Sequence, residues 1–153
     1  MSKLTAHTPP LPPMSNEAIS KVRELEAIIL DMPQADLTTH HVFHGGMYAR
    51  TIMIPAGVVL TGALIKISTM VIVCGDVTVY VGDKAMELYG YNVIPASAGR
   101  KQVFLAKSDT WVTMLFPTDA VTVAEAEAKF TDEIDILASG GELCKNVVTI
   151  TGE

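Results

Sequence analysis

The sequence predicts an all-β domain of the sandwich or jelly-roll type, on three observations. Short apolar runs of strand length alternate with Gly, Pro and Asp turns from Leu37 to Phe116. One amphipathic helix precedes them and one short capped helix follows. At 153 residues, 49% of them hydrophobic, the chain is long enough to bury a single packed core without disulfides or metal.

The first 14 residues carry Pro9, Pro10, Pro12 and Pro13. Proline restrains such a segment to extended conformations and leaves it no buried face. It is expected to be a flexible arm, free or lying on a neighbouring subunit. Residues 15–153 then form one domain. Ser15 is placed to cap a helix running to about Asp31, where Ile19, Val22, Leu25, Ile28, Ile29 and Met32 recur at three- and four-residue steps. Pro33 stops it. That single apolar stripe is expected to pack on the sheet or on a partner protomer.

The barrel core spans about residues 37–118. Strands are expected over 37–44 and 47–54, with Gly45-Gly46 as the hairpin break. Further strands follow at 58–60, 63–67, 70–74 and 76–81, then Gly82-Asp83 turns the chain. The remaining core strands fall at 86–89, 92–94, 102–106 and 111–116. Thr122-Val123-Ala124-Glu125 matches a capping box, which starts a helix over 122–130, continuing or restarting through 135–137. Ser139-Gly140-Gly141 breaks it. A last strand within 143–151 would join this barrel's edge or a neighbour's.

Composition excludes several classes. A net charge of −6 argues against a nucleic-acid backbone binder. The longest apolar runs, such as 70–74, are strand-length and far short of a membrane-spanning helix. Lys3 is followed by no apolar segment that reads as a secretory signal. Cys74 and Cys144 lie in no metal-like spacing, which fits two reduced cysteines in the cytoplasm, with a disulfide as the alternative. The chain has no Gly-x-Ser-x-Gly elbow, no phosphate-binding Gly-Lys-Ser/Thr loop and no Cys-His pairing of catalytic spacing.

Two stretches carry a family resemblance. The first is Tyr48-Ala49-Arg50-Thr51-Ile52-Met53-Ile54-Pro55-Ala56-Gly57-Val58-Val59-Leu60-Thr61-Gly62. The second is Pro95-Ala96-Ser97-Ala98-Gly99-Arg100-Lys101, followed by Ser108-Asp109-Thr110-Trp111-Val112-Thr113. Together they resemble the two motifs of a cupin barrel, especially small cupin-like proteins of bacteriophages and prophages, over about residues 40–118. The resemblance implies a cupin-type double-stranded β-helix (jelly roll) barrel with an N-terminal helix and a short C-terminal helix. It also implies a homo-oligomer, since cupins generally pair their barrels.

The family's metal ligands do not carry over. Counting from Gly57, the His-x-His positions fall on Ala63 and Ile65, and counting back from Gly75 puts the glutamate position on Ser68, or on Thr69 if the loop is shifted. The histidine of the second motif falls on Gln102, and Phe116 stands where phage-like variants close the strand with histidine. Transition metals take His, Cys, Asp and Glu, so these residues do not make the usual site. The dioxygenase, oxalate-degrading and isomerase activities that the resemblance would otherwise imply need that ion. The interior is instead expected to be an apolar pocket for a small ligand.

Candidate binding residues are His41, Tyr48, Arg50, Lys66, Arg100, Lys101, Gln102 and Trp111. Tyr48, Arg50 and Ile52 share a strand face, and a guanidinium there suits phosphate or carboxylate. Arg50 paired with an acid across the strand is the plainer alternative. Arg100, Lys101 and Lys107 add cations near a barrel rim. Trp111, Tyr80, Tyr89, Tyr91 and Phe104 are candidates to stack a base or to fill the core. Asp109 and Glu87 are marked for acid–base work only by their charge. His40, His41 and His44 form an alternative metal site only if their strand bends, because residues four apart on a strand are about 13 Å apart.

These readings converge on a non-catalytic, metal-independent binding protein with no cofactor. Its partner is a small anionic molecule or a nucleotide, with no nucleic acid and no membrane. The phage resemblance extends this to sequestration of a host nucleotide signal in the bacterial cytoplasm. An enzyme using the displaced histidine site and a structural, oligomeric phage protein are the alternatives.

Overall fold

A computed structural model describes residues 9–137 and 144–153. In chain order the elements are α1 (Asn16–Leu30), β1 (Thr38–His44), β2 (Met47–Ile54), β3 (Val59–Thr61), β4 (Thr69–Cys74) and β5 (Val77–Val81). Then come β6 (Lys84–Leu88), β7 (Tyr91–Ala96), β8 (Val103–Ala106), β9 (Thr110–Pro117), α2 (Val123–Phe130), a 3-10 turn at Ile134–Ile136, and β10 (Lys145–Ile150). They build a six-stranded sheet, β10-β1-β2-β9-β4-β7, and a four-stranded sheet, β3-β8-β5-β6.

The pairing itself defines the jelly roll. β5 pairs with β6, β4 with β7, β3 with β8 and β2 with β9, all antiparallel. This is one long hairpin whose tip is the β5–β6 turn. Winding it into a barrel adds the β4–β9 and β5–β8 pairs and distributes the strands over two sheets. β1 and β10 extend the larger sheet, with β10 parallel to β1. The core lies between the sheets, where Val71, Val73, Val77, Val79 and Ile94 are buried.

Local chemistry explains the ends. Ser15 Oγ accepts the Ala18 N–H and caps α1, and Thr122 accepts the Glu125 N–H at α2. Gly45 and Gly46 both take positive φ, 58° and 70°, as a tight hairpin turn requires. Gly75 allows the β4–β5 corner to press on the next strand: a Cβ there would meet Thr110 Oγ1 at 2.6 Å and the Asp109 carbonyl at 2.9 Å.

Three expectations change. Residues 63–67 do not make a strand; Ile65 forms only an isolated bridge with Arg100. The reason is competition for backbone donors. Leu64 N–H goes to Glu133 Oε2 at 2.8 Å and Lys66 N–H to the Phe130 carbonyl at 2.8 Å, so the C-terminal segment takes what a ladder would need. The described part of the proline-rich arm lies on its own barrel. Leu11 bridges Ala96, is 1% exposed, and exchanges hydrogen bonds with the Pro95 carbonyl and Ser97 N–H. The α1 stripe is only half covered: Ile19 and Val22 are buried while Ile28 and Met32 face solvent. The Ser139-Gly140-Gly141 break lies outside the described residues. Cys74 and Cys144 are free, which removes the disulfide alternative. No helix among the described residues is long and apolar enough to cross a membrane.

Candidate functional site

The space between the sheets holds a cavity of about 120 Å3. Its wall is mostly aliphatic, with Ala63, Ile65, Val71, Val112 and Leu11 contributing. Three long polar side chains break that surface: Arg50, Arg100 and Gln102. Strand alternation puts Arg50 there, since β2 turns Tyr48, Arg50, Ile52 and Ile54 inward.

Arg50 belongs to an ion pair. Its Nη1 is 3.1 Å from Glu127 Oε2, both side chains are about nine-tenths buried, and the guanidinium lies 5.6 Å from the centre of the Phe130 ring. The acid comes from α2 and not from a neighbouring strand. Helix α2 carries Ala126, Glu127 and Phe130 on its buried side, so a carboxylate enters the core beside an aromatic anchor.

Arg100 is different. It is 2% exposed, and its hydrogen bonds run to neutral acceptors. Nη1 donates to the Ser97 carbonyl at 2.7 Å and the Ile67 carbonyl at 3.4 Å, and Nη2 donates to Thr69 Oγ1 at 2.7 Å and touches Met114 Sδ at 3.8 Å. Burial pulls its pKa down to about 10, and no neighbouring charge offsets that shift. The guanidinium is nonetheless protonated at neutral pH. Gln102 is 4% exposed; its Nε2 contacts Met14 Sδ at 3.3 Å, while its buried Oε1 has no hydrogen-bond partner among the described residues.

The other candidates lie elsewhere. Lys101 is fully buried but points away from the cavity, with Nζ 3.0 Å from Glu26 and 2.9 Å from Glu133. Lys66 pairs with Asp132 at the surface. Trp111 stands half exposed on the outer face of the larger sheet, 6.5 Å from the His40 ring. Asp109 accepts the Ala56 N–H, and Glu87 pairs with Lys107 on the surface, so neither acid faces the cavity.

The three histidines are not brought together. His40 and His44 turn outward on β1 while His41 turns in, and Gly45-Gly46 makes a hairpin rather than a bend within the strand. His41 Nε2–H donates to Asn146 Oδ1 at 2.8 Å, and its Nδ1 accepts the Tyr48 hydroxyl at 2.7 Å. Burial lowers the His41 pKa and keeps the ring neutral, as this arrangement needs. Burial raises the Tyr48 phenol, against a smaller opposing pull from Arg50. Tyr48 also packs with Phe43, Phe116 and Phe130, so His41 and Tyr48 brace β10 and the aromatic core.

Ala63, Ile65 and Gln102 occupy the places that the two motifs align with metal ligands, two guanidiniums face the space, and Glu127 is engaged with Arg50. Among the described residues no group of three or more His, Cys, Asp or Glu is placed to hold a metal ion. Sequence reasoning missed Glu127, Thr69, Met114 and Leu11. Only Glu127 left a trace, as the one acid on the inward stripe of a short helix.

The fold and site define a jelly-roll domain with a small, cation-lined interior cavity. Among solved structures, the chain is similar to ectoine synthase from P. lautus, with 17% identity, a TM-score of 0.49, and 67% of this chain and 81% of that one covered. It is also similar to a cupin-2 domain from Rhodospirillum rubrum, at 17% identity and TM-score 0.46, covering 63% and 73%. A third is the cupin-2 domain of an XRE-family transcriptional regulator from Enterobacter cloacae, at 11% identity and TM-score 0.45, covering 54% and 99%. No family model and no curated protein matches the sequence.

Proposed function

We propose that this protein is a cupin-fold, metal-independent binding protein that takes a small anion into its barrel. Arg100 carries the reading. A guanidinium withdrawn from water is costly unless an anion compensates it, and here it lines a cavity with neutral acceptors only. Planar, bidentate recognition of carboxylate or phosphate is what arginine does best. Gln102 Oε1 offers an acceptor for a hydroxyl on the same ligand.

Volume narrows the ligand. At about 120 Å3 the cavity is smaller than the roughly 300–1,000 Å3 typical of larger ligands. Inorganic phosphate or a short carboxylic acid suits it; a whole nucleotide does not. The reading is thus a binder of small acids, non-catalytic, working in the cytoplasm of a bacterial host. The likeness of its two motifs to phage cupin-like proteins supports that setting.

Calorimetric titration with phosphate, acetate, malonate and lactate, in excess chelator, tests it. One of these is expected to bind saturably and unchanged in composition, and Arg100→Met is expected to weaken that binding at least about 100-fold. Binding that needs a metal, turnover of the ligand, or full affinity in Arg100→Met would overturn the reading.

A further inference from the structure

Among the described residues, the charged side chains lining the cavity are Arg50 and Arg100. Glu127 balances Arg50 at 3.1 Å, so one positive charge is left over. A monoanion neutralises it. A dianion would carry its second charge against aliphatic wall, where nothing solvates or pairs it.

The wall also holds one buried acceptor with no donor, Gln102 Oε1. A carboxylate only accepts and leaves that atom unmet, whereas a hydroxyl donates to it. Arg100 and Gln102 stand two residues apart in the segment leading into β8, and both line the cavity. Two groups on one short molecule can therefore meet them.

Length has a stop. Leu11 is 1% exposed and closes one side of the cavity. Pro9, Pro10, Pro12 and Pro13 have no N–H, so Leu11 holds the one backbone donor of residues 9–13. That donor is spent on the Pro95 carbonyl at 3.0 Å. The Leu11 carbonyl accepts the Ser97 N–H at 2.9 Å, and the Ser97 carbonyl accepts Arg100 Nη1 at 2.7 Å. Ser97 thus fixes both the side chain that closes the cavity and the cation that faces it.

Resting on the anion-binding reading, we propose that the ligand is a short aliphatic hydroxy acid with a single carboxylate, and that Leu11 sets its length. An apolar cavity of about 150 Å3 accepts a benzene-sized molecule. At about 120 Å3 this one suits an acid the size of lactate or 3-hydroxypropionate, its carbons against Ile65, Val71 and Val112.

Calorimetric titration with lactate, 3-hydroxypropionate, propionate, malonate and 2-hydroxyhexanoate, in excess chelator, tests this. The better of the two short hydroxy acids is expected to bind about fivefold tighter than propionate, which lacks only the hydroxyl. It is expected to bind at least about 100-fold tighter than malonate and about tenfold tighter than 2-hydroxyhexanoate. Gln102→Leu is expected to bring the hydroxy acid down to the level of propionate. Leu11→Ala is expected to raise 2-hydroxyhexanoate affinity about tenfold, and Leu11→Val, which keeps an apolar anchor on the strap, to raise it by less.

Propionate or malonate binding as tightly as the hydroxy acids, and still lost in Arg100→Met, overturns this proposal and leaves the anion reading standing. Affinities that ignore Arg100→Met overturn both. Binding of none of the five overturns the proposal, and phosphate binding would then keep the anion reading. Native chain that takes 2-hydroxyhexanoate as well as lactate overturns the role of Leu11, whether or not a Leu11 variant folds.

Discussion

Arg100 and Lys101 stand side by side in the chain, and both are withdrawn from solvent. The extended segment just before β8 turns their side chains to opposite sides. Lys101 enters a cluster in which Glu26 comes from α1 and Glu133 from beside the 3-10 turn; Arg23 adds to it at 2.9 Å and Leu64 N–H at 2.8 Å. Arg100 enters the cavity and meets carbonyls, a hydroxyl and a thioether. One buried cation is complete within the chain and the other is not. The first fastens α1 and the C-terminal segment to the barrel, and the second leaves a charge for something else to balance. A buried charge reads as structure or as a binding site according to its partners, not its depth.

Substituting Lys101 should show the larger effect. Lys101→Met keeps the volume but leaves Glu26 and Glu133 facing each other without their shared cation. Both acids keep some contact with water, so the expected loss is about 3 kcal/mol, the low end for breaking a buried pair. Urea unfolding at neutral pH measures it. A loss below about 1 kcal/mol would mean that Arg23 alone holds the cluster, and the contrast with Arg100 would fail.

Acid should reach the same cluster and the His41 contact by different windows. Burial pushes the Glu133 carboxyl up, but Leu64 N–H, Lys101 and Arg23 together outweigh it and hold it below the ordinary carboxylate value. Its stabilising contribution is therefore complete above about pH 4.5 and is lost as pH falls from there through the folded value. His41 is also lowered, mainly by burial, but it is a base. The unfolded chain takes up its proton first, so stability falls as pH drops below about 6.5 towards the folded value. Melting temperature against pH should show two descents, and His41→Gln should remove only the upper one. A single descent below pH 4.5 in the native chain would mean that the His41 ring accepts its proton without disturbing Tyr48 and Asn146.

Arg100→Met should act in the opposite direction to Lys101→Met when no anion is present. Removing an uncompensated buried charge is neutral or stabilising, here by about 1 kcal/mol. Saturating anion should reverse the order, since only the native chain binds it.

What the sequence revealed follows from the range of the forces involved. Turn glycines, the Ser15 and Thr122 caps and strand alternation act within a few residues, so the described strands, both helices and the inward set around Tyr48–Ile54 were legible, while the strand expected at 63–67 does not form. The site was legible only as residue types. Glu127 reaches Arg50 across 77 positions, Glu133 reaches Lys101 across 32, and Asn146 reaches His41 across 105. No local pattern tells which of two adjacent cations will meet an acid. The Pro-rich arm misled for the same reason: Leu11 gains its place from the edge of β7 and the opening of the cavity, both distant in the chain.

The smallest effect sharpens the contrast most. Gln102 follows Lys101 and shares the cavity side with Arg100, and its Oε1 is the acceptor left over there. An unsatisfied buried acceptor costs about 1–3 kcal/mol, while its Nε2 contact with the Met14 thioether returns little. Gln102→Leu should therefore stabilise the anion-free protein by about 0.5 kcal/mol in the same urea assay. If the bound anion carries a hydroxyl that donates to Oε1, the same variant should weaken binding about fivefold, well short of the Arg100→Met loss. Equal losses from the two variants would mean that the amide, not the guanidinium, selects the ligand. A destabilised Gln102→Leu would mean that the amide is held as firmly as Lys101, leaving Arg100 as the one incomplete group on the cavity wall.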